Sequence, residues 1–253
     1  MPEYRKKFTV TAVAALALAI GGCSMEPTSP SAARDSASAA ESLSLSAAGG
    51  TDCAKVKCIA LTFDAGPGKD TPKLLDSLKE KQVHATFFLL GENHVVKQPD
   101  VVRRIAAEGH EVANHTWSHH RLDELDADGI RNELSRTQEA IAKITGSRPT
   151  LMRPPQGRTD DDVTSVSREL GLAQVLWSAT AKDYSTTDSE LIRKRILDQA
   201  GRDGIILLHD IYDGTVPAVP GIIDELKNRG YTFVTVPELL APGKANPGEV
   251  YRP

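Results

Sequence analysis

The sequence predicts an α/β domain with a parallel sheet, because apolar runs typical of buried strands alternate with amphipathic segments typical of helices over residues 51–240. Several helical segments are followed by glycine, a common helix stop. Periodicity alone does not distinguish an open sheet from a closed barrel. The predicted strands are residues 59–63, 85–90, 111–113, 151–152, 173–177, 205–208 and 232–236, and the predicted helices are residues 72–81, 101–108, 130–145, 161–170, 189–200 and 219–229.

The first predicted helix illustrates the local signals. Leu74, Leu75 and Leu78 recur at the spacing of one helical face. Thr71 is a suitable N-cap, and Pro72 suits the first helical position, where a backbone N–H has no intrahelical partner. The strands instead are short and almost uniformly apolar, as expected of strands that are covered on both faces.

The composition excludes several classes of protein. The formal net charge is -4, so the sequence lacks the basic surface that nucleic-acid binding requires. Three cysteines are too few for a disulfide-rich miniprotein or a multi-cysteine zinc module. Seven histidines and many carboxylates remain as candidate metal ligands. No feature of the sequence indicates a protein partner.

The first residues have the pattern of an export signal. Arg5, Lys6 and Lys7 precede an uncharged apolar run over residues 8–20, which is too short to span a bilayer comfortably. The run ends at Ile20-Gly21-Gly22-Cys23, which resembles a bacterial lipobox. Residues 1–22 are therefore predicted to be a lipoprotein-type signal peptide, with Cys23 acylated and inserted in membrane lipid. The alternative is ordinary secretion with cleavage elsewhere.

The remaining chain divides into three parts. Residues 23–50 are rich in Ser, Ala, Pro and Gly, which predicts a flexible tether. Residues 51–240 form the folded domain, and residues 241–253 are predicted to be a disordered tail. Cys53 and Cys58 lie at the start of the domain, where they either close a small disulfide in an exported protein or remain free thiols.

Polar side chains follow the ends of several predicted strands. They are Asp64, His115, His119, Arg153, Asp183 and His209. Because functional groups gather where parallel strands end and loops begin, we expect these side chains to converge in space.

Each of these residues also has a structural interpretation. Asp64 resembles a turn-capping residue before Gly-Pro, and His209 resembles a satisfied core histidine after an apolar run. His115 and His119 are four residues apart, which on one helical turn would direct both imidazoles at one ion, whereas the alternative is a chance pair of surface histidines. Trp177 and Tyr184 suit either the core or the wall of a sugar site.

Together these residues form a recognisable series of motifs. In chain order the motifs are Thr62-Phe63-Asp64-Ala65-Gly66-Pro67, His115-Thr116-Trp117-Ser118-His119, Arg153-Pro154-Pro155-Gln156-Gly157, Asp183-Tyr184 and Leu207-Leu208-His209. This series resembles the signature of the polysaccharide deacetylases, the NodB-homology domains of carbohydrate esterase family four. The resemblance covers residues 57–240. It implies a distorted (β/α)7-type barrel and metal-dependent removal of acetyl groups from N- or O-acetylated glycans.

The resemblance also implies roles for individual residues. Asp64 would be the general base, oriented by Arg153, and His209 would be the general acid, oriented by Asp183. His115 and His119 would hold a divalent metal ion, with zinc expected and cobalt or nickel as alternatives. The residues expected to shape the substrate site are Leu207, Tyr184 and Trp177.

Position 65 departs from the family pattern, which usually has a second acidic residue there as the third metal ligand. Ala65 cannot bind a metal ion. Either Asp64 and water complete the shell, or a carboxylate from residues 160–162 substitutes, or the site is catalytically inactive. We expect an extracytoplasmic, lipid-anchored deacetylase of N-acetylated cell-wall or chitin-like glycans. The alternatives are an O-acetyl esterase and a noncatalytic glycan-binding lipoprotein.

Overall fold

A computed structural model describes residues 26–47 and 50–253 of the chain. The predicted signal peptide and Cys23 lie outside the described residues. Within these residues, nine strands form one curled parallel sheet, and most helices pack around it. The strands are β1 (Lys57–Gly66), β2 (Thr86–Leu89), β3 (Glu111–Asn114), β4 (Leu151–Met152), β5 (Ala173–Val175), β6 (Ala179–Thr180), β7 (Gly204–His209), β8 (Tyr231–Val234) and β9 (Val250–Tyr251).

The strand order is β6-β7-β1-β2-β3-β4-β5-β9, and β8 pairs with the first half of β1. Every pairing is parallel, so the carboxyl ends of the strands share one edge. In the register of β1 and β7, Asp64 lies opposite His209. The tertiary fold therefore places two polar residues that are far apart in sequence side by side.

All six predicted helices are present with some changes in their bounds, and in the described residues three further short helices, at 30–35, 39–47 and 236–240, were not predicted. The helices are α1 (Pro30–Asp35), α2 (Ala39–Ala47), α3 (Thr71–Glu80), α4 (Pro99–Ala107), α5 (Ala127–Thr145), α6 (Asp161–Glu169), α7 (Ser189–Gln199), α8 (Thr215–Asn228) and α9 (Val236–Leu240). Helix α8 begins earlier than predicted, at Thr215, and contains Pro220. Thr71 is the first residue of α3 rather than its N-cap.

The largest core cluster lies between the sheet and helices α3, α4, α7 and α8. Strand β1 is at its centre, and the rings of Phe63 and Phe87 stack with centroids 5.2 Å apart. The leucines predicted to form one face of α3, Leu74, Leu75 and Leu78, are all fully buried in this cluster. Burial of these apolar faces holds the strands in register and so fixes the edge at which the polar residues meet.

The prediction of a flexible tether over residues 23–50 is wrong for the stretch around α1. Thr28 donates a backbone hydrogen bond to Val250 (2.7 Å), and Ala33 is buried. The Arg34 guanidinium forms an ion pair with Asp203 (2.6 Å) and donates to the Leu239 carbonyl (2.8 Å). The small-residue composition was misleading because a few specific contacts, rather than bulky apolar side chains, attach this segment to the domain.

The prediction of a disordered tail over residues 241–253 is also wrong. Strand β9 pairs with β5, and Tyr251 is fully buried. The Tyr251 hydroxyl donates to Glu249 (2.6 Å) and receives a hydrogen bond from the backbone of Asn246 (2.9 Å). One anchored aromatic residue is enough to order a short polar segment, although its composition resembles a loop.

Cys53 and Cys58 form a disulfide at the entrance to β1, so of the two alternatives the structure has the bonded pair. Both cysteines are fully buried in a second core cluster with Ala33 and Leu239. None of the helices in the described part of the chain is sufficiently long and apolar to cross a bilayer.

Candidate active site

A cavity of about 580 Å³ opens at the carboxyl edge of the sheet. Its lining includes seven of the predicted site residues, namely Asp64, His115, His119, Trp177, Tyr184, Leu207 and His209. It also includes Ala65, Gln156, Thr180, Lys182 and Tyr212. Arg153 and Asp183 lie directly behind it, each bonded to a lining residue. All nine predicted site residues are therefore brought together.

The Asp64 carboxylate is held by Arg153. Both side chains are buried, and Arg153 Nη1 donates to Asp64 Oδ1 (2.7 Å) and to the Thr62 hydroxyl (2.8 Å). Arg153 Nε donates to the Val175 carbonyl (2.9 Å), and the guanidinium stacks on the Phe88 ring at 4.1 Å. A buried ion pair fixed at this many points keeps Asp64 in one orientation and leaves Oδ2 facing the cavity.

His115 is held so that its Nε2 faces Asp64. Nδ1 lies 2.8 Å from the Arg153 carbonyl oxygen, which only accepts hydrogen bonds, so Nδ1 carries the proton. Nε2 therefore has a lone pair, and it lies 3.9 Å from Asp64 Oδ2. Burial lowers the pKa of His115 to about 4, which keeps the ring neutral near pH 7.

The loop after β3 brings His119 to His115. The prediction that both rings project from one helical turn is wrong, because Thr116 and His119 have φ values of 71° and 66°. The Thr116 hydroxyl accepts a hydrogen bond from the His119 backbone N–H (3.1 Å), and the two imidazole centroids lie 5.0 Å apart. Desolvation lowers the pKa of His119 as well, so both rings are available as neutral ligands.

Glu133 and Asn114 hold this loop, and the sequence analysis did not identify either of them. The Glu133 carboxylate accepts hydrogen bonds from the backbone N–H groups of Trp117 (3.0 Å) and Ser118 (2.8 Å) and from the Ser118 hydroxyl (2.8 Å). Asn114 Oδ1 accepts from the Thr116 N–H (2.8 Å). Glu133 lies on the inner face of α5 at 8% exposure, and this burial of an acidic residue inside an apolar helical pattern was the available signal.

The imidazoles of His115 and His119 and the carboxylate of Asp64 suit a divalent cation, but the site lacks one of the family's usual ligands. His115 Nε2 and Asp64 Oδ2 carry lone pairs that face each other with no proton between them, an arrangement that a cation would stabilise. Within residues 26–47 and 50–253, however, no group of three or more His, Cys, Asp or Glu side chains is arranged to hold a metal ion. The two imidazoles and the outer oxygen of Asp64 are therefore an incomplete set.

Position 65 lacks the acidic metal ligand that the family usually has there. The backbone of Ala65 is left-handed, with a φ of 64°. Alanine tolerates this conformation less well than Asn, Asp or Gly, so the backbone is shaped for a residue other than the one present. Gly66 follows, and a side chain there would collide with the buried Asp210 carboxylate. The local backbone thus retains the shape of the motif while the ligand atom is missing.

The three acidic residues at 160–162 do not replace the missing ligand. The Asp160 side chain caps α6 by accepting the Val163 N–H (2.9 Å), and Asp161 and Asp162 are exposed in the first turn of that helix. None of the three lines the cavity. Their role is stabilisation of a helix N-terminus.

His209 is held by Asp183 from the other side of the cavity. Asp183 Oδ1 lies 2.8 Å from His209 Nδ1, and Oδ2 accepts the His209 backbone N–H (2.7 Å) and the Thr215 hydroxyl (2.7 Å). Burial alone would lower the pKa of His209, but the hydrogen bond and the charge of Asp183 outweigh it and raise the pKa above the usual imidazole value. Burial would raise the pKa of Asp183, whereas its hydrogen bonds, led by that to His209, lower it.

Comparison with known proteins identifies the family. Residues 51–175 match the family model described as polysaccharide deacetylase. A peptidoglycan-N-acetylglucosamine deacetylase from Bacillus cereus is 38% identical over 191 residues, which are 74% of this chain and 69% of that protein. The chain belongs to the polysaccharide deacetylase family. Its curled sheet is the NodB-type barrel of that family.

Other relatives in this family are longer than the chain. The peptidoglycan-N-acetylglucosamine deacetylase PgdA of Listeria monocytogenes is 39% identical over 184 residues, which cover 72% of this chain and 39% of PgdA. The peptidoglycan-N-acetylmuramic acid deacetylase PdaC of Bacillus subtilis is 41% identical over 184 residues, which cover 72% of this chain and 38% of PdaC. The chain thus spans about two fifths of the length of these two relatives.

Solved structures of family members share the fold. The structure of PdaC superposes with a TM-score of 0.71 at 40% identity, covering 76% of this chain and 93% of that chain. A family member from Bacillus anthracis, described as a pseudoenzyme, superposes with a TM-score of 0.70 at 25% identity, covering 78% of this chain and 70% of that chain. A mutant of that pseudoenzyme is described as having restored activity. The family therefore includes both active enzymes and inactive proteins with the same fold.

Proposed function

We propose that the chain is a metal-dependent hydrolase that removes acetyl groups from N-acetylated cell-wall glycans. The observation that carries the proposal is the pairing of Asp64 with Arg153 and of His209 with Asp183 on facing sides of one cavity. The first pair holds a carboxylate suited to accept a proton, and the second holds an imidazole that remains protonated to a higher pH. A protein that only bound glycan would need neither arrangement.

In the proposed reaction, Asp64 takes a proton from the water that attacks the acetyl carbonyl, and Arg153 keeps its carboxylate oriented. His209 donates its proton to the departing amine nitrogen, and Asp183 stabilises the imidazolium before that transfer. Leu207, Tyr184 and Trp177 supply apolar surface for the acetyl methyl group.

His115 and His119 would hold the metal ion, and the outer oxygen of Asp64 would remain available to take the proton of the attacking water. A divalent ion there supplies Lewis acidity toward the acetyl carbonyl and its attacking water. Neutral imidazoles favour zinc, with cobalt and nickel as substitutes of the same ligand preference. The binding constant is expected to be weaker than for a site with three full protein ligands, because Ala65 contributes no donor.

Relatives that act on peptidoglycan support a cell-wall glycan as the substrate. A bifunctional xylanase/deacetylase from Pseudobutyrivibrio xylanivorans is 36% identical over 205 residues, which supports O-acetylated xylan as the alternative substrate. The B. anthracis pseudoenzyme makes a noncatalytic glycan-binding protein the alternative of a different class. A noncatalytic role would account for the absence of a metal ligand at position 65.

One experiment separates these functions. Acetate release is measured with acetylated chito-oligosaccharide, peptidoglycan and acetylated xylan, and the metal content is measured on the same protein sample, with and without a chelator. We expect zinc-dependent release from the N-acetylated substrates. Release from xylan alone would indicate the esterase. Glycan binding without release from any substrate, at saturating zinc, would refute the deacetylase proposal.

We further propose that the mature protein acts outside the cytoplasm, anchored through an acylated Cys23. The disulfide of Cys53 and Cys58 supports an oxidising compartment. Because Thr28 is already paired with β9, only a few residues connect Cys23 to the folded domain, and the reach is about 20 Å at most. Membrane fractionation of the wild type and Cys23→Ser tests the anchor, and release of the wild type into the soluble fraction would contradict it.

A further inference from the structure

One rim of the cavity is made by alternate residues of a single segment. Thr180, Lys182 and Tyr184 line the cavity, whereas the intervening Ala181 and Asp183 are buried behind it. Asp183 is the partner of His209, so the rim is attached to the proposed general acid. The segment thus presents a hydroxyl, an ammonium group and an aromatic ring to a bound substrate.

Lys182 brings an unneutralised positive charge to this rim. Among the residues that the structure describes, no carboxylate lies within ion-pair distance of its ammonium, whereas Arg153 is paired with Asp64 and His209 with Asp183. Its backbone is left-handed at φ 48°, a conformation that costs free energy for lysine. The Ser185 hydroxyl donates to the Lys182 carbonyl (2.6 Å), which helps to hold that conformation. The side chain is therefore an exposed cation on a constrained backbone.

Two tyrosines flank His209 beside this lysine. Tyr184 is 58% exposed and Tyr212 is 37% exposed, and their ring centroids lie 6.3 Å and 5.4 Å from that of His209. Exposed aromatic rings offer flat surfaces on which the apolar face of a sugar ring can pack. A second cavity of about 390 Å³ shares Tyr184 and Tyr212 with the first. A glycan could thus continue from one cavity into the other past the lysine.

We propose that Lys182 binds a carboxylate carried by the glycan, and that the enzyme consequently prefers acidic N-acetylated sugars to neutral ones. The inference rests on the proposed deacetylase function and specifies its substrate class. A carboxylate is the complementary partner for an unpaired ammonium at the edge of a cavity, where the charges are less screened than on an open surface. A neutral oligosaccharide would leave the charge of Lys182 without a partner.

The test compares two peptide-free oligosaccharides of equal length. One contains only N-acetylglucosamine, and the other alternates N-acetylglucosamine with N-acetylmuramic acid, whose lactyl group carries a carboxylate. We expect Lys182→Gln to lower kcat/KM for the acidic substrate by about 10-fold, with the neutral substrate changed by less than about 2-fold. Lys182→Arg should retain the preference, and added salt should reduce it in the wild type. Lys143→Gln, an exposed lysine on α5 away from the cavity, is the matched control.

Equal losses on the two substrates, or no loss on the acidic one, would overturn the assignment. If the wild type releases no acetate at all, the deacetylase proposal fails, but the role of Lys182 is still tested by titration calorimetry with the same two oligosaccharides. Tighter binding of the acidic oligosaccharide that is lost in Lys182→Gln would support the assignment. Identical binding of the two oligosaccharides by the wild type would refute it.

Discussion

The two sides of the cavity differ in how completely their polar groups are partnered. On the acid side, His209 and Asp183 satisfy each other, and Thr215 supplies a further hydrogen bond. On the base side, Arg153 satisfies only one oxygen of Asp64, and the other faces the unprotonated nitrogen of His115. The polar groups of the acid side are partnered within the protein, whereas the base side has two facing lone pairs that the proposed cation would stabilise.

This difference indicates which step is expected to limit turnover in the proposed reaction. The proposed proton donor is held by strands β6 and β7 and the segment between them, none of which includes position 65. The proposed metal ligands depend on a loop with two left-handed residues and on a motif with one donor missing. Metal occupancy, rather than proton transfer, is therefore expected to limit turnover, and the following variants test that contrast.

The largest effect is expected for Asp64→Asn, which removes the proposed base and leaves Arg153 buried without its counter-charge. Turnover should fall by about 10³-fold. The free energy of unfolding should fall by about 3 kcal/mol. Acetate release and urea denaturation measure the two effects. Turnover within 10-fold of the wild type at equal zinc occupancy would exclude Asp64 as the base.

His209→Ala should lower kcat by about 10²-fold and leave KM nearly unchanged, because proton donation acts in the transition state. Zinc affinity should not change, since His209 belongs to the acid side. Steady-state kinetics and zinc titration on the same variant measure both. Loss of zinc binding would contradict the separation of the two sides.

Ala65→Asp should tighten zinc binding by at least about 10-fold, because it restores a carboxylate where the backbone already has the required left-handed shape. Ala65→Asn is the matched control, since Asn also tolerates this conformation but adds no charge. Competition with a chelator of known affinity measures the change. Equal affinities for the wild type and Ala65→Asp would mean that the missing donor is already supplied.

Glu133→Gln should weaken zinc binding by about 10-fold through the loop that carries His119, because the neutral amide accepts the Trp117 and Ser118 N–H bonds less strongly. His209 should keep its properties. Glu139→Gln, on the exposed face of the same helix, is the control. A fall in unfolding free energy with unchanged zinc affinity would make Glu133 a structural residue only.

The smallest effect expected is a shift in pH dependence. The pKa of His209 is higher in the folded protein than in the unfolded chain. The protonated ring therefore stabilises the fold, fully so below the unfolded-state pKa. This stabilisation is lost as the pH rises through the folded-state pKa. Asp183→Asn removes the charge responsible and should move the alkaline limb of the kcat profile to lower pH. An unchanged limb would show that another group donates the proton.

The sequence analysis identified more of the acid and base residues than of the groups that support them. Asp64, Arg153 and His209 lie at or beside the carboxyl ends of strands, which hydrophobic patterning locates. Glu133 lies in a helix and Tyr212 in a loop, and both are outside the motifs on which the sequence analysis relied. Glu133 contacts the His119 loop across 15 or more residues of chain, whereas Tyr212 lies only three residues after His209.

The errors at the two ends of the domain have a similar cause. Residues 28–35 and 250–251 have the composition of a tether and a tail, yet each is bound to the domain by a few long-range contacts. The composition of a segment determines how much apolar surface it can bury, but not whether the folded domain offers specific contacts to it.

Local chemistry along the chain was enough to determine the alternation of strand and helix, the polar residues at the strand ends and the absence of a ligand atom at position 65, because each is a property of neighbouring residues. The tertiary structure alone decided which lone pairs face each other, which carboxylate holds the His119 loop and where the Lys182 charge lies. Those relations depend on register and on the curl of the sheet, which bring together atoms separated by up to 145 residues between Asp64 and His209.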